Sequence, residues 1–237
     1  MEATALVSPN RLWWAPEVLV RPSPVPAAAG VYGWHFEQPP HPDLDAGRLL
    51  YVGIAPRFMA NRTSTQNLRK RVRYHYQGNA AGSTLRLTLG CLLGLELRRV
   101  GSGKRMTFGK AGETTLSQWM ADNARVCWIE QSEPWDLESQ LISQLDLPLN
   151  LDQNRHNTFH SRLKKIRAQA RQRARELPIN SQAVGRGDGL LAGPSKGPRQ
   201  RPMMTNDDHQ AHGPATPELQ KPAHQVPRQD PGQEDRS

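Results

Sequence analysis

Glu138 is the residue whose position in this sequence most directly suggests chemistry. The segment that opens at Pro134 predicts a helix through Asp146. Its apolar stripe consists of Leu137, Leu141, Ile142 and Leu145. Glu138 precedes Ile142 by one turn, so its carboxylate borders that buried stripe. Burying an unpaired carboxylate costs several kcal/mol, so we expect either a basic partner within the fold or a metal ion beside it.

A second predicted helix, over residues 66–76, carries polar side chains along one flank. Its apolar stripe is formed by Leu68, Val72 and Tyr76. Beside that stripe, at spacings of four, lie Asn67, Arg71 and His75, whereas Lys70 and Arg73 are predicted to point toward solvent. An arginine and a histidine on one flank could supply a fixed positive charge and a titratable nitrogen. One arginine in a basic helix is by itself consistent with a solvated charge.

Two tyrosines are predicted to lie on neighbouring strands. The alternation of GVYGWHF, residues 30–36, predicts a strand with Tyr32 facing away from Val31. A loop rich in proline leads to a second strand, RLLYVGIA, over residues 48–55. The two strands therefore form an open hairpin, in which the missing side chain at Gly53 leaves space near Tyr51. Without further context, both tyrosines are consistent with simple packing of a sheet.

The rest of the chain contributes further predicted elements. Residues 83–100 favour a helix that loosens near Gly94, and GSGK at 101–104 favours a tight basic turn. This GSGK is not a phosphate-binding loop, because the required preceding glycine is missing and Arg105 follows the lysine. A short helix over 115–123, a third strand over 125–131 and a basic helix over 158–176 complete the series. Strand, strand, helix, strand and helix predict an α+β fold.

Composition separates an ordered basic region from a tail. Only 36% of the chain is hydrophobic, and residues 178–237 contain no aromatic residue. We therefore predict a disordered C-terminal tail there, because it cannot bury enough apolar surface to offset its chain entropy. That tail has seven basic and seven acidic residues, so the net charge of +9 belongs to residues 1–177. A basic region favours anionic partners such as nucleic acid, although solubility alone could explain a modest excess.

Cysteine usage and hydropathy give two further expectations. Cys91 and Cys127 are too few for a disulfide framework and lack the spacing of a zinc site, so we expect reduced thiols. No apolar run approaches the length of a membrane helix, and the first 30 residues lack the pattern of a signal peptide. A soluble, cytoplasmic protein without a membrane partner is predicted.

Taken in order, the polar motifs resemble those of the GIY-YIG nuclease superfamily. GVY at 30–32, YVG at 51–53, the helix NLRKRVRYH, a late glutamate and a following asparagine occur in the order of that family's pattern. Valine replaces isoleucine in both short motifs, and the stretch 80–124 is longer than a minimal member needs. The matching positions are Tyr32, Tyr51, Arg71, His75, Glu138 and Asn150, with Asn154 as a second candidate for the asparagine.

The resemblance implies a small three-stranded antiparallel sheet flanked by helices, and a metal-dependent endonuclease that hydrolyses phosphodiester bonds. It implies one divalent ion, Mg²⁺ or Mn²⁺, held by Glu138. Arg71 would meet the charge of the scissile phosphate, and Tyr32 with Tyr51 would activate or orient water. His75 could help as a proton acceptor. A phenol with a pKa near ~10 is a poor base at neutral pH, so Arg71, His75 or the metal would have to lower the pKa of Tyr32. Asn150 completes the predicted catalytic set.

Nucleic acid, DNA rather than RNA, is the expected partner. Phosphate contacts are predicted for Asn67, Lys70, Arg73, Arg162, Lys164, Lys165 and Arg167, although a solvated helix face would explain the last four nearly as well. A metal site at His156 and His160 would need ligands that the sequence does not supply. The alternative function is a nucleic-acid-binding module that kept this fold without catalysis.

The predicted organisation has four parts. These are an N-terminal arm at 1–27, packed or extended as a linker, the nuclease-like domain at 28–155, the basic C-terminal helix at 156–177 and the tail at 178–237.

Overall fold

A three-stranded antiparallel sheet lies at the centre of the computed structural model, which describes residues 2–57 and 65–180. In chain order its elements are α1 (Glu2–Val7), α2 (Ala15–Leu19), β1 (Gly30–Phe36), β2 (Leu49–Ala55), α3 (Leu68–Gln77), α4 (Thr84–Leu92), β3 (Arg98–Val100), β4 (Arg105–Thr107), α5 (Gly109–Asn123), β5 (Ala124–Glu130), α6 (Pro134–Gln144) and α7 (His160–Glu176). The predicted α+β class is confirmed.

Strand β1 occupies the middle of the sheet, between β2 and β5. Its register with β2 sets Tyr32 opposite Gly53 and Trp34 opposite Tyr51. The predicted open hairpin of two strands within residues 30–55 is therefore confirmed, and the two tyrosines lie on adjacent strands.

Helices cover both faces of the sheet, so β1 and β2 are buried along their full length. Tyr32 and Tyr51 belong to the larger core cluster, on the face covered by α3. Val31 and Val52 belong to the opposite cluster, with α1 and α6. A strict alternation along β2 would put Leu50 on the same face as Val52 and Ile54, but Leu50 joins the cluster of Tyr51. The cause is a register shift opposite Trp34 and His35, which adds a residue to β2 at this point.

Helix α3 follows the predicted pattern closely. Asn67 caps its start, because the Asn67 side chain accepts a hydrogen bond from the backbone N–H of Lys70 at 3.0 Å. Leu68, Val72 and Tyr76 are buried, as the stripe predicts. Helix α6 likewise begins at Pro134 and buries most of its predicted stripe. Arg71 of α3 and Glu138 of α6 line one cavity.

The single helix predicted over residues 83–100 is wrong in its second half. Helix α4 ends at Leu92, and Gly94 adopts a positive φ of 73°, a conformation that ends helices and favours glycine. Residues 98–100 instead form β3 and pair with β4. The basic turn predicted at 101–104 connects these two strands, with a hydrogen bond from Gly103 N to Val100 O at 3.1 Å.

A buried ion pair joins the helices of this region. Arg86 on α4 is fully buried and donates to Glu113 Oε2 on α5 at 2.7 and 3.0 Å. Its Nη1 also donates to the carbonyls of His75 and Tyr76 at the end of α3. The long stretch between 80 and 124 therefore fixes the C-terminal turn of α3.

The segments before and after the predicted nuclease-like region pack onto it. The backbones of Trp13 and Val126 exchange two hydrogen bonds, so the N-terminal arm pairs with the edge of β5. Leu163 and Ala174 of α7 are buried in the larger core cluster. At the start of the predicted tail, Asn180 N donates to Arg99 O at 2.8 Å. The remainder of that prediction, 181–237, lies outside the described residues.

Cys91 and Cys127 are both buried free thiols. Within residues 2–57 and 65–180, no helix combines the length and hydropathy needed to span a membrane.

Candidate active site

A cavity of about 260 Å³ opens where β1, β2, α3 and α6 meet the loop after α6. Five of the six predicted catalytic residues line it: Tyr32, Tyr51, Arg71, Glu138 and Asn150. The sixth, His75, lies directly behind Tyr32. Residues separated by more than 100 positions in sequence are thus brought to one place by the sheet register and by two helices.

Tyr32 lies between α3 and β2, and its ring is buried. Its hydroxyl is 2.8 Å from His75 Nε2 and accepts a longer hydrogen bond of 3.4 Å from Arg71 Nε. Burial raises the pKa of Tyr32, and the Arg71 guanidinium opposes that rise. Tyr32 is therefore a neutral phenol near pH 7 in the absence of other ligands.

Gly53 is required by Tyr32. A Cβ built on Gly53 would lie 2.5 Å from the Tyr32 hydroxyl oxygen and 2.8 Å from the ring carbon that carries it. The expectation that Gly53 leaves space near Tyr51 is therefore wrong. The space beside Gly53 is filled by Tyr32, which lies opposite it on the facing strand β1. The glycine of the YVG motif thus makes room for the tyrosine of the GVY motif.

Tyr51 forms another part of the cavity wall and is 8% exposed. Burial raises its pKa, and the neighbouring Tyr32 adds to this effect. Tyr51 therefore offers the cavity a neutral hydroxyl.

Arg71 projects from α3 into the cavity, and its guanidinium is held on two sides. Nη1 donates to the carbonyl of Gly82 at 2.9 Å, and Nε donates to Tyr32. These contacts leave Nη2 free of any hydrogen bond within the described part of the chain. Arg71 therefore keeps donor capacity for an anion in the cavity.

His75 is fully buried and bonded on both ring nitrogens. Nε2 is 2.8 Å from the Tyr32 hydroxyl, and Nδ1 is 2.8 Å from Ser83 Oγ. Burial, reinforced by the charges of Arg71 and Arg86, holds the pKa of His75 well below its usual value. The imidazole is therefore neutral near pH 7 and carries one N–H.

Glu138 on α6 is half-buried and lines the same cavity. Burial raises its pKa from an ordinary 4.5 to about 7, the Arg57 guanidinium opposes the rise, and the Asp152 carboxylate adds to it. Among residues 2–57 and 65–180, none forms a hydrogen bond or a close ion pair with this carboxylate. The sequence predicts either a basic partner or a metal ion beside Glu138. Within the described residues, no basic side chain lies at contact distance from its carboxylate.

The two candidate asparagines have different positions. Asn150 Oδ1 accepts from Val52 N at 3.0 Å, and Asn150 Nδ2 donates to Val52 O at 2.9 Å. Its amide therefore fixes the loop after α6 to β2, at the edge of the cavity. Asn154 is fully buried behind it and donates to the carbonyls of Leu147 and Asn150.

Sequence reasoning missed several cavity residues, chiefly Arg57 and Asp152. Arg57 Nη2 and Asp152 Oδ2 are 3.9 Å apart across the opening. Arg57 follows the end of β2 by two positions and Asp152 follows Asn150 by two, so proximity to the motifs was the available signal. Gln153 next to them has a φ of +62°, an uncommon conformation for a residue other than glycine.

The residues predicted to contact nucleic acid differ in exposure and in the contacts they make within the fold. Arg162, Lys164 and Lys165 are exposed on α7, and Lys70 is exposed on α3. Asn67 uses its side-chain oxygen as the helix cap.

The predicted exposure is wrong for two arginines. Arg73 is partly buried, and its Nη2 donates to the carbonyl of Leu19 at the end of α2. Arg167 is 7% exposed and its Nη1 donates to Thr88 Oγ1 on α4, because its spacing of four from Leu163 puts it on the inner face of α7. Both arginines hold neighbouring helices instead of facing solvent.

His156 is exposed, and no cluster of three or more histidine, cysteine, aspartate or glutamate side chains is suited to hold a metal ion within the described ranges. A divalent ion at Glu138 would therefore draw most of its ligands from water and substrate.

A family model for the GIY-YIG catalytic domain matches residues 41–172, more than half of the chain. The match runs from the loop before β2 into α7 and begins after β1. Tyr32 is therefore assigned by its pairing with β2 and not by the match. No curated protein and no solved structure matches the chain.

Proposed function

Because the chain belongs to the GIY-YIG catalytic domain family, whose general activity is nuclease activity, we propose that it is a metal-dependent endonuclease. Its substrate would be nucleic acid, and we expect DNA rather than RNA. Its reaction would be the hydrolysis of a phosphodiester bond. The observation that carries this proposal is the convergence of Tyr32, Tyr51, Arg71 and Glu138 on one cavity. Simple packing of a sheet would not require the last two residues to face the same space.

Glu138 and its surroundings fit a hard divalent cation. Mg²⁺ commonly binds to one or two carboxylates and keeps several waters or substrate phosphate oxygens as its other ligands. The cavity offers the Glu138 carboxylate, without a close partner in the described chain, and the Asp152 carboxylate near the opening. When bound, Mg²⁺ or Mn²⁺ would polarise the phosphate and stabilise charge on the leaving oxygen.

Arg71 would bind the scissile phosphate. Its guanidinium is fixed by Gly82 and Tyr32, so it needs little reorganisation to meet an anion. Arg57 is a second cation at the same opening, and its contact with Asp152 would be exchanged for phosphate when substrate enters. Two guanidinium groups at the opening favour an anionic ligand with more than one charged oxygen.

Tyr32 and Tyr51 would orient the attacking water. Both hydroxyls are neutral and face the same cavity, so they act through hydrogen bonds in a fixed geometry. Gly53 supports this role because it leaves room for the Tyr32 ring and hydroxyl beside β2.

The test is cleavage of supercoiled DNA, linear DNA and RNA by the purified protein with Mg²⁺ or Mn²⁺, beside Glu138→Ala and Arg71→Ala. We expect cleavage by the wild type that both substitutions abolish. Matched controls are Asp136→Asn, an exposed acid on the same helix as Glu138, and Arg105→Ala, an exposed arginine on β4. Both controls should retain activity.

Cleavage that survives loss of Glu138 or of Arg71 would refute these roles. Tight binding of nucleic acid without cleavage, under every metal condition, would instead favour a binding module that kept the fold but not the chemistry.

A further inference from the structure

A continuous chain of buried hydrogen bonds leads from Ser83 through His75 to Tyr32. Ser83 Oγ is 2.8 Å from His75 Nδ1, and His75 Nε2 is 2.8 Å from the Tyr32 hydroxyl. His75 and Ser83 are 0% and 1% exposed, so water does not complete these contacts from outside. Ser83 also caps α4, because its Oγ accepts from the backbone N–H of Arg86 at 3.1 Å.

The direction of these bonds follows from counting donors. A serine hydroxyl has one hydrogen to donate and two lone pairs to accept with. Within the described chain, the side chain of Ser83 has only Arg86 N and His75 Nδ1 as partners, and Arg86 N must donate. If Nδ1 also carried a hydrogen, the Ser83 hydroxyl hydrogen would be buried without an acceptor, which is costly. If Ser83 donates to Nδ1, each group is satisfied.

We propose that Ser83 is a positioning residue that fixes His75 in the Nε2–H tautomer, so that His75 donates a hydrogen bond to Tyr32. Neutral imidazole has one N–H, and the second ring nitrogen decides which one it is. The low pKa of His75, caused first by burial, keeps the ring in this neutral state. His75 is then a donor, which reverses the proton-acceptor role expected from the sequence.

This tautomer gives the Tyr32 oxygen two N–H donors. One is His75 Nε2–H and the other is Arg71 Nε–H. With both lone pairs engaged, the hydroxyl hydrogen of Tyr32 is directed at a group in the cavity, such as a phosphate oxygen or a water. The same two donors would stabilise the Tyr32 oxygen whenever it gives up that hydrogen.

The start of α4 controls both donors. The carbonyl of Gly82 holds Arg71 Nη1, and the side chain of the next residue, Ser83, holds His75 Nδ1. A Cβ on Gly82 would lie 2.2 Å from the Tyr74 hydroxyl oxygen, so a side chain there would displace the Tyr74 ring. Two consecutive residues thus orient the two groups that reach Tyr32.

The direct test is the tautomer of His75, read from ¹⁵N chemical shifts and long-range ¹H–¹⁵N correlations of the full-length protein. His75→Gln assigns the resonance. We expect a protonated Nε2 and an unprotonated Nδ1 near pH 7. A protonated Nδ1 in the wild type would overturn the proposal. This measurement needs no catalysis, so it separates the tautomer from the proposed nuclease function on which its catalytic meaning rests.

Variants at Ser83 provide the second readout. Ser83→Ala should shift His75 toward the Nδ1–H tautomer and lower kcat about tenfold with little change in KM, the equivalent of one lost hydrogen bond. Ser83→Thr, which keeps the hydroxyl, should restore both. Ser143→Ala, at an exposed serine of α6, should change neither. An unchanged tautomer in folded Ser83→Ala would contradict the positioning role, and the wild-type spectrum decides the question if that variant does not fold.

Discussion

Replacing Glu138 by glutamine is expected to stabilise the metal-free protein at about pH 8. Burial raises the pKa of the Glu138 carboxyl from 4.5 to about 7. The folded state therefore binds more protons than the unfolded state between these two values, and stability is lost as the pH rises through that window. The full rise corresponds to about 3 kcal/mol of unfolding free energy, lost above about pH 7. Glutamine has the same shape and carries no charge, so it avoids this cost.

Urea denaturation with a chelator, at about pH 5 and about pH 8, measures this effect as the difference between wild type and Glu138→Gln. We expect a small difference at the lower pH and a gain approaching ~3 kcal/mol at the higher pH. Asp136→Asn is the control, because neutralising an exposed acid in the first turn of the same helix should cost a few tenths to ~1 kcal/mol.

A wild type more stable than Glu138→Gln at about pH 8 would refute this reasoning. It would mean that the Glu138 anion is stabilised within the fold, as expected of a structural ion pair with Arg57. Addition of Mg²⁺ or Mn²⁺ gives an independent check, because a ligand that binds the folded state raises its stability. The ion should stabilise the wild type and not Glu138→Gln.

Three further substitutions follow from other contacts. Gly53→Ala should push the facing tyrosine ring out of place, costing ~1 to 3 kcal/mol in thermal or urea unfolding and most of the cleavage activity; unchanged activity would contradict the close approach. Glu113→Gln should leave the buried Arg86 charge uncompensated and cost ~3 to 5 kcal/mol, whereas a loss below ~1 kcal/mol would show that water reaches the pair. Replacing both Lys164 and Lys165 by glutamine should reduce the slope of log affinity for DNA against log salt concentration by up to ~2. The single-turnover cleavage rate at saturation should not change. An unchanged slope would show that this face of α7 does not contact DNA.

The sequence predicted those parts of the site that depend on local periodicity. The alternation around Tyr32 and Tyr51 identified two strands, and the spacing of Leu68, Val72 and Tyr76 identified α3 with Arg71 on its flank. The order of the motifs then supplied the expectation that these elements meet. The structure confirms their convergence on one cavity.

The parts that could not be predicted depend on tertiary contacts. Residues 95–100 follow a helix-like apolar pattern, but pairing with residues 105–107 turns their second half into a strand. Arg73 and Arg167 belong to basic helices whose apolar stripes are thin, so periodicity alone did not show that both arginines face neighbouring helices. Ser83 reaches His75 across a turn, and no spacing rule links the two. Arg57 and Asp152 lie 3.9 Å apart where the Asn150 side chain bonds its loop to β2, a contact between segments far apart in sequence.

The most direct test of the proposed active site is the single-turnover rate of DNA cleavage in Mg²⁺, measured for wild type and Glu138→Gln at saturating protein, with DNA affinity measured separately. We predict that Glu138→Gln binds DNA as the wild type does and cleaves it at least about 100-fold more slowly, because the metal contributes several kcal/mol of transition-state stabilisation. Asp136→Asn should cleave at the wild-type rate. Equal cleavage rates for wild type and Glu138→Gln would contradict the assignment of this cavity as a metal-dependent active site.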